Sequence, residues 1–504
     1  MGIVKRQGSV NTIISYVGAL FGALNGLFLA TRFLDEAQKG FLVDFLPYVT
    51  IFVAQFSALG GNPTIIRFLP FFRDKGRQHH GFLFYILAVA TGGFLLFSLI
   101  YILFQDIFIG WFQERSPLIT EYYWYTLLIG FFGLNHLLLE TYSNTLFKSI
   151  VPSIIRELLI KIGFSILLVL FHFEYMDFPQ LVAGFVWLNG LMVFILVAYL
   201  IYLGQFHLKP IWSFRLRKLW RTIAVYSGYN YITTVNSWLY QILDIMMVAA
   251  LSSGADVGIY GLPLMFLRFA VIPTKSMNKL VIPLVAEHWK NNRPDQIQIL
   301  YKKSALVNLI TGGCLLMLLC VNGEVIFETM TGRASYLAGV PVLYILSIAR
   351  LYDLATGLNT HIINSSKLFR INLLFTFATI ILSITTNSIL IPIYGLEGAA
   401  MATALSIIVI NSLQAGFVWW KFGMQPFSKQ TLWMLIILAL CTTIGFLLPI
   451  TGYWLVDLGY RSAIIGGLFI LLVLRFNISP DFSEYFGHLL RRLKLGFVAK
   501  WFNI

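Results

Sequence analysis

The sequence predicts an all-α polytopic membrane protein of about fourteen transmembrane helices. Two six-helix bundles in a 6+6 repeat would be followed by two extra C-terminal helices, with both termini cytoplasmic. Three observations carry that expectation. The first is composition: the 504 residues are 58% hydrophobic and only 12% charged, with mean hydropathy +0.79. A soluble domain carries about 25% charged residues. The second is block length. The apolar runs are about 20 residues long, enough to cross about 30 Å of hydrocarbon as a helix. They do not alternate as barrel strands would, and lipid admits only helices or closed barrels. The third is the placement of lysine and arginine between the runs.

Taken in order, the predicted spans are residues 9–34, 41–60, 82–104, 122–140, 153–172, 180–203, 226–251, 257–283, 304–322, 337–357, 371–391, 396–420, 430–449 and 460–476. Positive charge stays on the cytoplasmic side of short loops. With the N-terminus inside, 29 of the 36 lysines and arginines fall in inside segments and 5 in outside segments. Arg268 and Arg350 remain within spans. A wrong span count would scramble this alternation. The same placement accounts for the net charge of +14, which topology and anionic lipid explain without a nucleic-acid partner.

The first span follows Lys5 and Arg6, is too long for a signal-peptide core, and reads as a retained membrane helix. The longest outside loop is 105–121, which leaves no room for an extracytoplasmic domain. The expected division is a bundle at 1–203, a basic amphipathic interfacial linker at 204–222, a second bundle at 223–422, two added spans at 430–476 and a basic amphipathic tail at 481–504. In the linker, Trp212, Phe214, Leu216, Leu219 and Trp220 alternate with Arg215, Arg217, Lys218 and Arg221, a mix suited to the interface. In the tail, Phe486, Leu489, Leu490, Leu493 and Phe497 lie beside Arg491, Arg492 and Lys494. Interfacial anchoring is the plainer reading of both; docking of a partner is the other.

The repeat is read from two turns. After span one the chain runs Ala37-Gln38-Lys39-Gly40-Phe41; after span seven it runs Ala255-Asp256-Val257-Gly258-Ile259. Ala-x-x-Gly-apolar recurs with Gly258 standing for Gly40. Both following spans end toward an inside segment with a proline and then basic residues: Pro70 before Arg73, and Pro283 before Lys290 and Arg293.

Four stretches then resemble one family. They are Val257-Gly258-Ile259-Tyr260-Gly261-Leu262, residues 392–403 (PIYGLEGAAMAT), residues 283–304 with Trp289-Lys290-Asn291-Asn292, and residues 353–359 (DLATGLN). Their order and spacing resemble the polysaccharide flippases of the multidrug/oligosaccharidyl-lipid/polysaccharide exporter superfamily, over about residues 5–475. The resemblance implies two six-helix bundles about a pseudo-two-fold axis along the membrane normal, a cavity between them, and alternating access. It also implies a bacterial inner membrane and, as cargo, an undecaprenyl-diphosphate-linked oligosaccharide carried to the outer leaflet. Independently of family, Gly395, Gly398, Ala399, Ala400 and Ala402 are small residues of the kind that let membrane helices approach closely.

No enzyme motif is present. His79-His80 lacks metal-site spacing, and Cys314, Cys320 and Cys441 are odd in number, lie within spans and show no CxxC. The expectation is a transporter with no catalytic residue, no metal and no cofactor. A monomer is expected, with lipid-linked oligosaccharide and anionic lipids as partners and glycan polymerase machinery as a further one.

Intramembrane charge is what remains. An ionised side chain within a span costs about 2.5–3.5 kcal/mol on insertion scales and marks a candidate site. Arg268 and Arg350, with Arg32 on the outside path, are the candidate substrate-binding residues, because a guanidinium stays charged and grips phosphate oxygens with two hydrogen bonds. Asp244, Asp353 and Asp44 are the candidates for coupling or charge pairing. The plainer alternative is ion pairing: Arg350 with Asp353, Asp44 with Arg32, Glu157 with Lys161. Tyr122-Tyr123-Trp124-Tyr125 and Trp419-Trp420 fit interfacial belts; Tyr226, Tyr229 and Tyr231 could instead stack on sugar. Two rival functions stand beside the flippase. A cation-coupled multidrug exporter would want a carboxylate-rich cavity. A membrane enzyme of glycan assembly would want a larger outside loop.

Overall fold

A computed structural model describes residues 2–73, 79–211, 214–480 and 482–484. The predicted tail lies outside the described residues apart from 482–484, as do Trp212 and Ser213 of the predicted linker. The described residues form helices joined by short turns, with no strand among them. All fourteen predicted spans fall on helix to within a few residues. Ten helices among the described residues are long and apolar enough to cross a membrane on their own. The protein is a multi-pass membrane protein.

Two compact units make up the chain, Met1–Gly258 and Ile259–Ile504. In the first, α1 (Ile13–Phe33) and α2 (Glu36–Ser57) are joined by a turn that Asp35 caps: Gln38 N donates to Asp35 Oδ1 at 2.7 Å and Asp35 N to Gln38 Oε1 at 3.2 Å. This reciprocal box satisfies two backbone donors that a helix start leaves free. After Ser57 the chain breaks through left-handed Leu59 and Gly60 into α3 (Gly61–Phe72), whose apolar face Ile65, Phe68, Leu69 and Phe72 is buried. There follow α4 (His79–Leu103), α5 (Tyr123–Thr145), α6 (Ile160–His172), α7 (Phe178–Tyr202) and α8 (Phe214–Leu251). Residues 214–222 form the first turns of α8, because no glycine or proline interrupts the chain before Gly228. Leu134, Leu138 and Tyr142 of α5 centre the core, with Phe82 and Leu83 of α4 and Leu196 and Leu200 of α7 around them. α8 packs on α2 and α3 of this same unit.

The second unit contains most of α9 (Gly254–Ala270), then α10 (Ile272–Lys290), α11 (Pro294–Val321), α12 (Gly339–Thr356), α13 (Asn359–Ser365), α14 (Ile371–Phe422), α15 (Lys429–Leu447) and α16 (Trp454–Arg475). One buried cluster joins Val285, Ile297, Tyr301, Leu358, Ile362, Ile363 and Val418. Outward-facing apolar side chains such as Leu432 and Ile436 are exposed, as lipid-facing residues must be.

The 52-residue α14 is two antiparallel helices that reverse at Gly395, where φ is 56° and ψ −128°. Gln414 Nε2 donates to Asn372 Oδ1 across the pair at 3.4 Å. A Cβ on Gly398 would stand 2.1 Å from Leu390 O, so the second arm needs glycine to pass the first. This gives the small-residue stretch of span twelve its packing role, with Ala399, Ala400 and Ala402 fully buried. Gly395 differs: a Cβ there meets nothing within 4 Å, and the requirement is backbone conformation alone. Gly395→Ala is therefore expected to destabilise the purified protein by about 1–3 kcal/mol. Gly416→Ala, in open space at ordinary helical angles, should stabilise it by about 0.5–1 kcal/mol. Thermal unfolding of the two variants side by side checks the contrast.

Candidate functional site: charged clusters within the helices

The two turns related by the predicted repeat touch one another. A Cβ on Gly258 would lie 2.1 Å from Glu36 O, and one on Gly40 would lie 2.4 Å from Gly254 O. Such approach is open only to glycine. Lys39, counted from sequence as a loop charge, is buried at the junction with its side chain 2% exposed. Its ammonium donates to Gly258 O at 2.7 Å and to Asp44 Oδ2 at 2.7 Å. A third loop seals the contact: Ser116 Oγ donates to Ala249 O at 2.6 Å, Gly254 N donates to Arg115 O at 3.0 Å, and Arg115 donates to Leu251 O. Charge and close backbone contact together make this a closed cluster at the predicted outside end.

Asp44 sits in a π-helical segment, Gly40–Phe45, and two more such segments, Leu24–Leu29 and Ile155–Leu159, carry polar groups of the first unit. π-Bulges inside helices frequently mark functional sites. Asn25 of the first donates to Lys161 O at 2.7 Å and accepts from Ser165 Oγ at 2.6 Å. In the third, Arg156 Nη1 donates to Glu140 Oε1 at 2.5 Å and Arg156 Nε to Glu157 Oε1 at 3.1 Å. The expected pair Glu157–Lys161 forms at 2.8 Å. It belongs to this larger cluster, which also holds His136, with Nδ1 3.8 Å from Glu140 Oε2.

In the second unit Arg350 meets Asp353 at 3.4 Å, as the i,i+3 spacing predicts, with both side chains about a third exposed (36% and 37%). Asp353 Oδ1 accepts from Asn411 Nδ2 at 3.1 Å. Asn359 Nδ2 in turn donates to Asn411 O at 3.3 Å, and the buried Tyr301 hydroxyl donates to Asn359 Oδ1. Asn359 opens α13, which follows the break of α12 at Gly357, where φ is 67°. A carboxylate beside an interrupted helix is the arrangement transporters use to hold ions.

The other predicted residues lie on α1, α8 and α9. Arg32 is exposed near the end of α1, its guanidinium 5.9 Å from the Phe28 ring. Asp244 is half-buried on α8, and Arg268 is exposed in the last turn of α9. Asp44 pairs with Lys39 at 2.7 Å, a partner the sequence did not suggest. Sequence reasoning also missed Asp457 and Arg461, expected at an outside loop and found buried in α16. Asp457 accepts from Thr451 N at 2.9 Å and Gly452 N at 3.1 Å, and Arg461 Nη2 donates to Gly445 O at 3.0 Å. Among the described residues no group of three or more His, Cys, Asp or Glu could hold a metal ion.

Residues 231–389 match the MatE family. The structure aligns with the lipid II flippase MurJ in an inward closed conformation at TM-score 0.71 and 15% identity, over 93% of this chain and 99% of that one. The chain has the fold of the multidrug/oligosaccharidyl-lipid/polysaccharide exporter superfamily. The resemblance drawn from the four sequence stretches is upheld. A multidrug-resistance MATE transporter of the superfamily, in an inward-facing conformation, aligns at TM-score 0.54 and 11% identity over 86% of this chain and 98% of that one. Among curated relatives, the probable low-salt glycan biosynthesis flippase Agl15 of Haloferax volcanii is 23% identical over 39% of this chain and 42% of its own length. The chain thus matches about two fifths of that relative's length.

Proposed function

We propose that the protein is a flippase that moves an oligosaccharide linked to a lipid diphosphate, undecaprenyl diphosphate in a bacterial inner membrane, to the outer leaflet by alternating access. The observation that carries this reading is the near full-length alignment with a lipid II flippase at TM-score 0.71, against 0.54 for the multidrug transporter. The likeness to a glycan-biosynthesis flippase points the same way. Residues 1–203 and 223–422 act as the two moving bundles, and 430–476 as an addition to them.

In this reading Arg268, Arg350 and Arg32 attract the diphosphate or an acidic sugar. Asp244, Asp353 and Asp44 neutralise them between cycles or take up a coupling cation. Arg350, about a third exposed, supports the role: its pairing with Asp353 is long at 3.4 Å, and a phosphate can compete with it. The second reading, a cation-coupled multidrug exporter, is favoured by the MatE match and by the Asp353–Asn411–Asn359 network beside a broken helix.

The separating experiment deletes the gene and identifies what accumulates. Lipid-linked glycan held on the inner leaflet supports the flippase; unaltered glycan with drug sensitivity supports the exporter. In the complemented strain, Arg268→Ala is expected to cut glycan export at least about tenfold, a loss of about 1.4 kcal/mol. Arg268→Lys should restore only part of it, since an ammonium lacks the two-pronged grip. Full export by Arg268→Ala, in protein that reaches the membrane, removes Arg268 from the site.

A further inference from the structure

The cluster of Glu140, His136, Arg156, Glu157 and Lys161 is absorbed by none of the roles above. It is built between α5 and the helix that runs from Ile150 to His172, and α1 presses on it so closely that a Cβ on Gly18 would lie 2.7 Å from Glu157 O. Its two acids are held unequally. Glu157 has two cations, Arg156 at 3.1 Å and Lys161 at 2.8 Å. Glu140, only 9% exposed, has one, Arg156. Beside it stands an imidazole whose Nε2 is buried with no hydrogen-bond partner and whose Nδ1 is 3.8 Å from the Glu140 carboxylate.

We propose that Glu140 and His136 form a proton-binding site in the first unit, with Arg156 as the group that moves when the site fills. With Glu140 and Glu157 ionised, Arg156 and Lys161 charged and His136 neutral, the cluster carries no net charge. A proton delivered by hydronium forms an O–H bond on Glu140 and leaves one positive charge uncompensated. That charge falls on Arg156, whose side chain is 51% exposed and which keeps Glu157 through Nε while Nη1 is released. An extra charge on a half-exposed guanidinium costs far less than one in the interior. Glu157 offers no such exit, because protonating it strands Lys161, which is only 28% exposed. His136, its Nε2 buried without a hydrogen-bond partner and its Nδ1 3.8 Å from Glu140, is the second acceptor that relays the proton, the use to which intramembrane acid and histidine pairs are put.

Among the described residues, the helices that pack most on α5 bring one other charge, Arg67. Leu46–Ser57, Phe82–Leu103, Ile150–Ile154 and Phe178–Tyr202 contain no charged residue, and Arg67 of α3 is engaged over the Tyr226 ring at 4.3 Å. Among the described side chains, the charged groups that face the site are thus Arg156 and Glu157, with Lys161 behind Glu157.

The test uses the full chain in lipid vesicles without cargo, so its failure is separate from failure of the flippase reading. Infrared difference spectra between about pH 5 and pH 8 read the carbonyl stretch of a protonated carboxylic acid. A pH-dependent band is expected in the native chain, lost in Glu140→Gln, and retained in Glu157→Gln and Glu140→Asp. His136→Gln should slow its appearance after a pH jump severalfold. Circular dichroism of each variant shows that it is folded. Absence of the band in the native chain, or its survival in Glu140→Gln, overturns the proposal. Where Glu140→Gln does not fold, loss of the band in Glu157→Gln with persistence in Arg156→Gln assigns the proton to Glu157 and overturns it equally.

Discussion

Lys39→Met is expected to destabilise the protein by about 3–5 kcal/mol, the usual cost of removing one partner from a buried ion pair. Methionine keeps the length and apolar character of the lysine stem, so the loss isolates the ammonium. Asp44, 13% exposed, loses that partner, and Gly258 O loses a donor inside a contact too close to admit water. Lys39→Met/Asp44→Leu should recover more than half of the loss, because two apolar groups then replace two charges. Chemical denaturation of the purified single and double variants measures the coupling. Additive losses would show that the 2.7 Å contact between Lys39 and Asp44 contributes nothing of its own.

Lys39 also shows where sequence reasoning reached its limit. The membrane spans were legible because their signal is summed over about 20 residues, and a single charge barely alters it. The Ala-x-x-Gly repeat was legible because Gly40 and Gly258 share a backbone requirement. That the two glycines touch each other was not, since contact between residues 218 apart is a property of the fold. By the same logic the i,i+3 and i,i+4 pairs, Arg350–Asp353 and Glu157–Lys161, could be read from spacing on one helix. Glu140–Arg156 could not, since it joins two helices. Lys39 was assigned to the loop by the positive-inside count, which records a charge's side of the membrane but not its burial. Asp457 and Arg461 were lost for that reason too. The π-helical segments at Asn25, Asp44 and Arg156 have no composition that distinguishes them from α-helix in a single sequence.

These placements change what the charges mean for transport. Within the helices of the first unit, Asp44 pairs with Lys39, Glu140 with Arg156 and Glu157 with Lys161. Compensated charge of this kind stores little energy at rest. It becomes costly when helices separate and one partner is left behind, which gives a conformational change a definite energetic step. Asp44 and Lys39 lie where the two turns meet, so separating those turns breaks the Lys39–Gly258 bond while the ion pair stays on α2. The ion pair then holds the ammonium ready to close again.

Gly258→Ala should therefore prevent that closure. The added methyl would lie 2.1 Å from Glu36 O and 3.1 Å from Gly40 N, both backbone atoms that no rotamer change can move. Ordinary contact needs more than a further 1 Å, so the turns must part and the Lys39–Gly258 bond must lengthen beyond hydrogen-bond range. The expected result is a protein held open at the predicted outside end and, under the proposed flippase function, glycan export reduced to the level of the deletion strain. Ser116, 1% exposed beneath the contact, provides the direct readout. A cysteine placed there should react with a membrane-impermeant maleimide about tenfold faster or more in Gly258→Ala, equivalent to about 1.4 kcal/mol in favour of the open arrangement. Gly254→Ala is the control: four residues away in the same turn, its Cβ would meet Ser116 Oγ at 3.5 Å, an ordinary contact. Equal labelling in the two variants would mean that the turns part without regard to Gly258, and that their contact is incidental to the transport cycle.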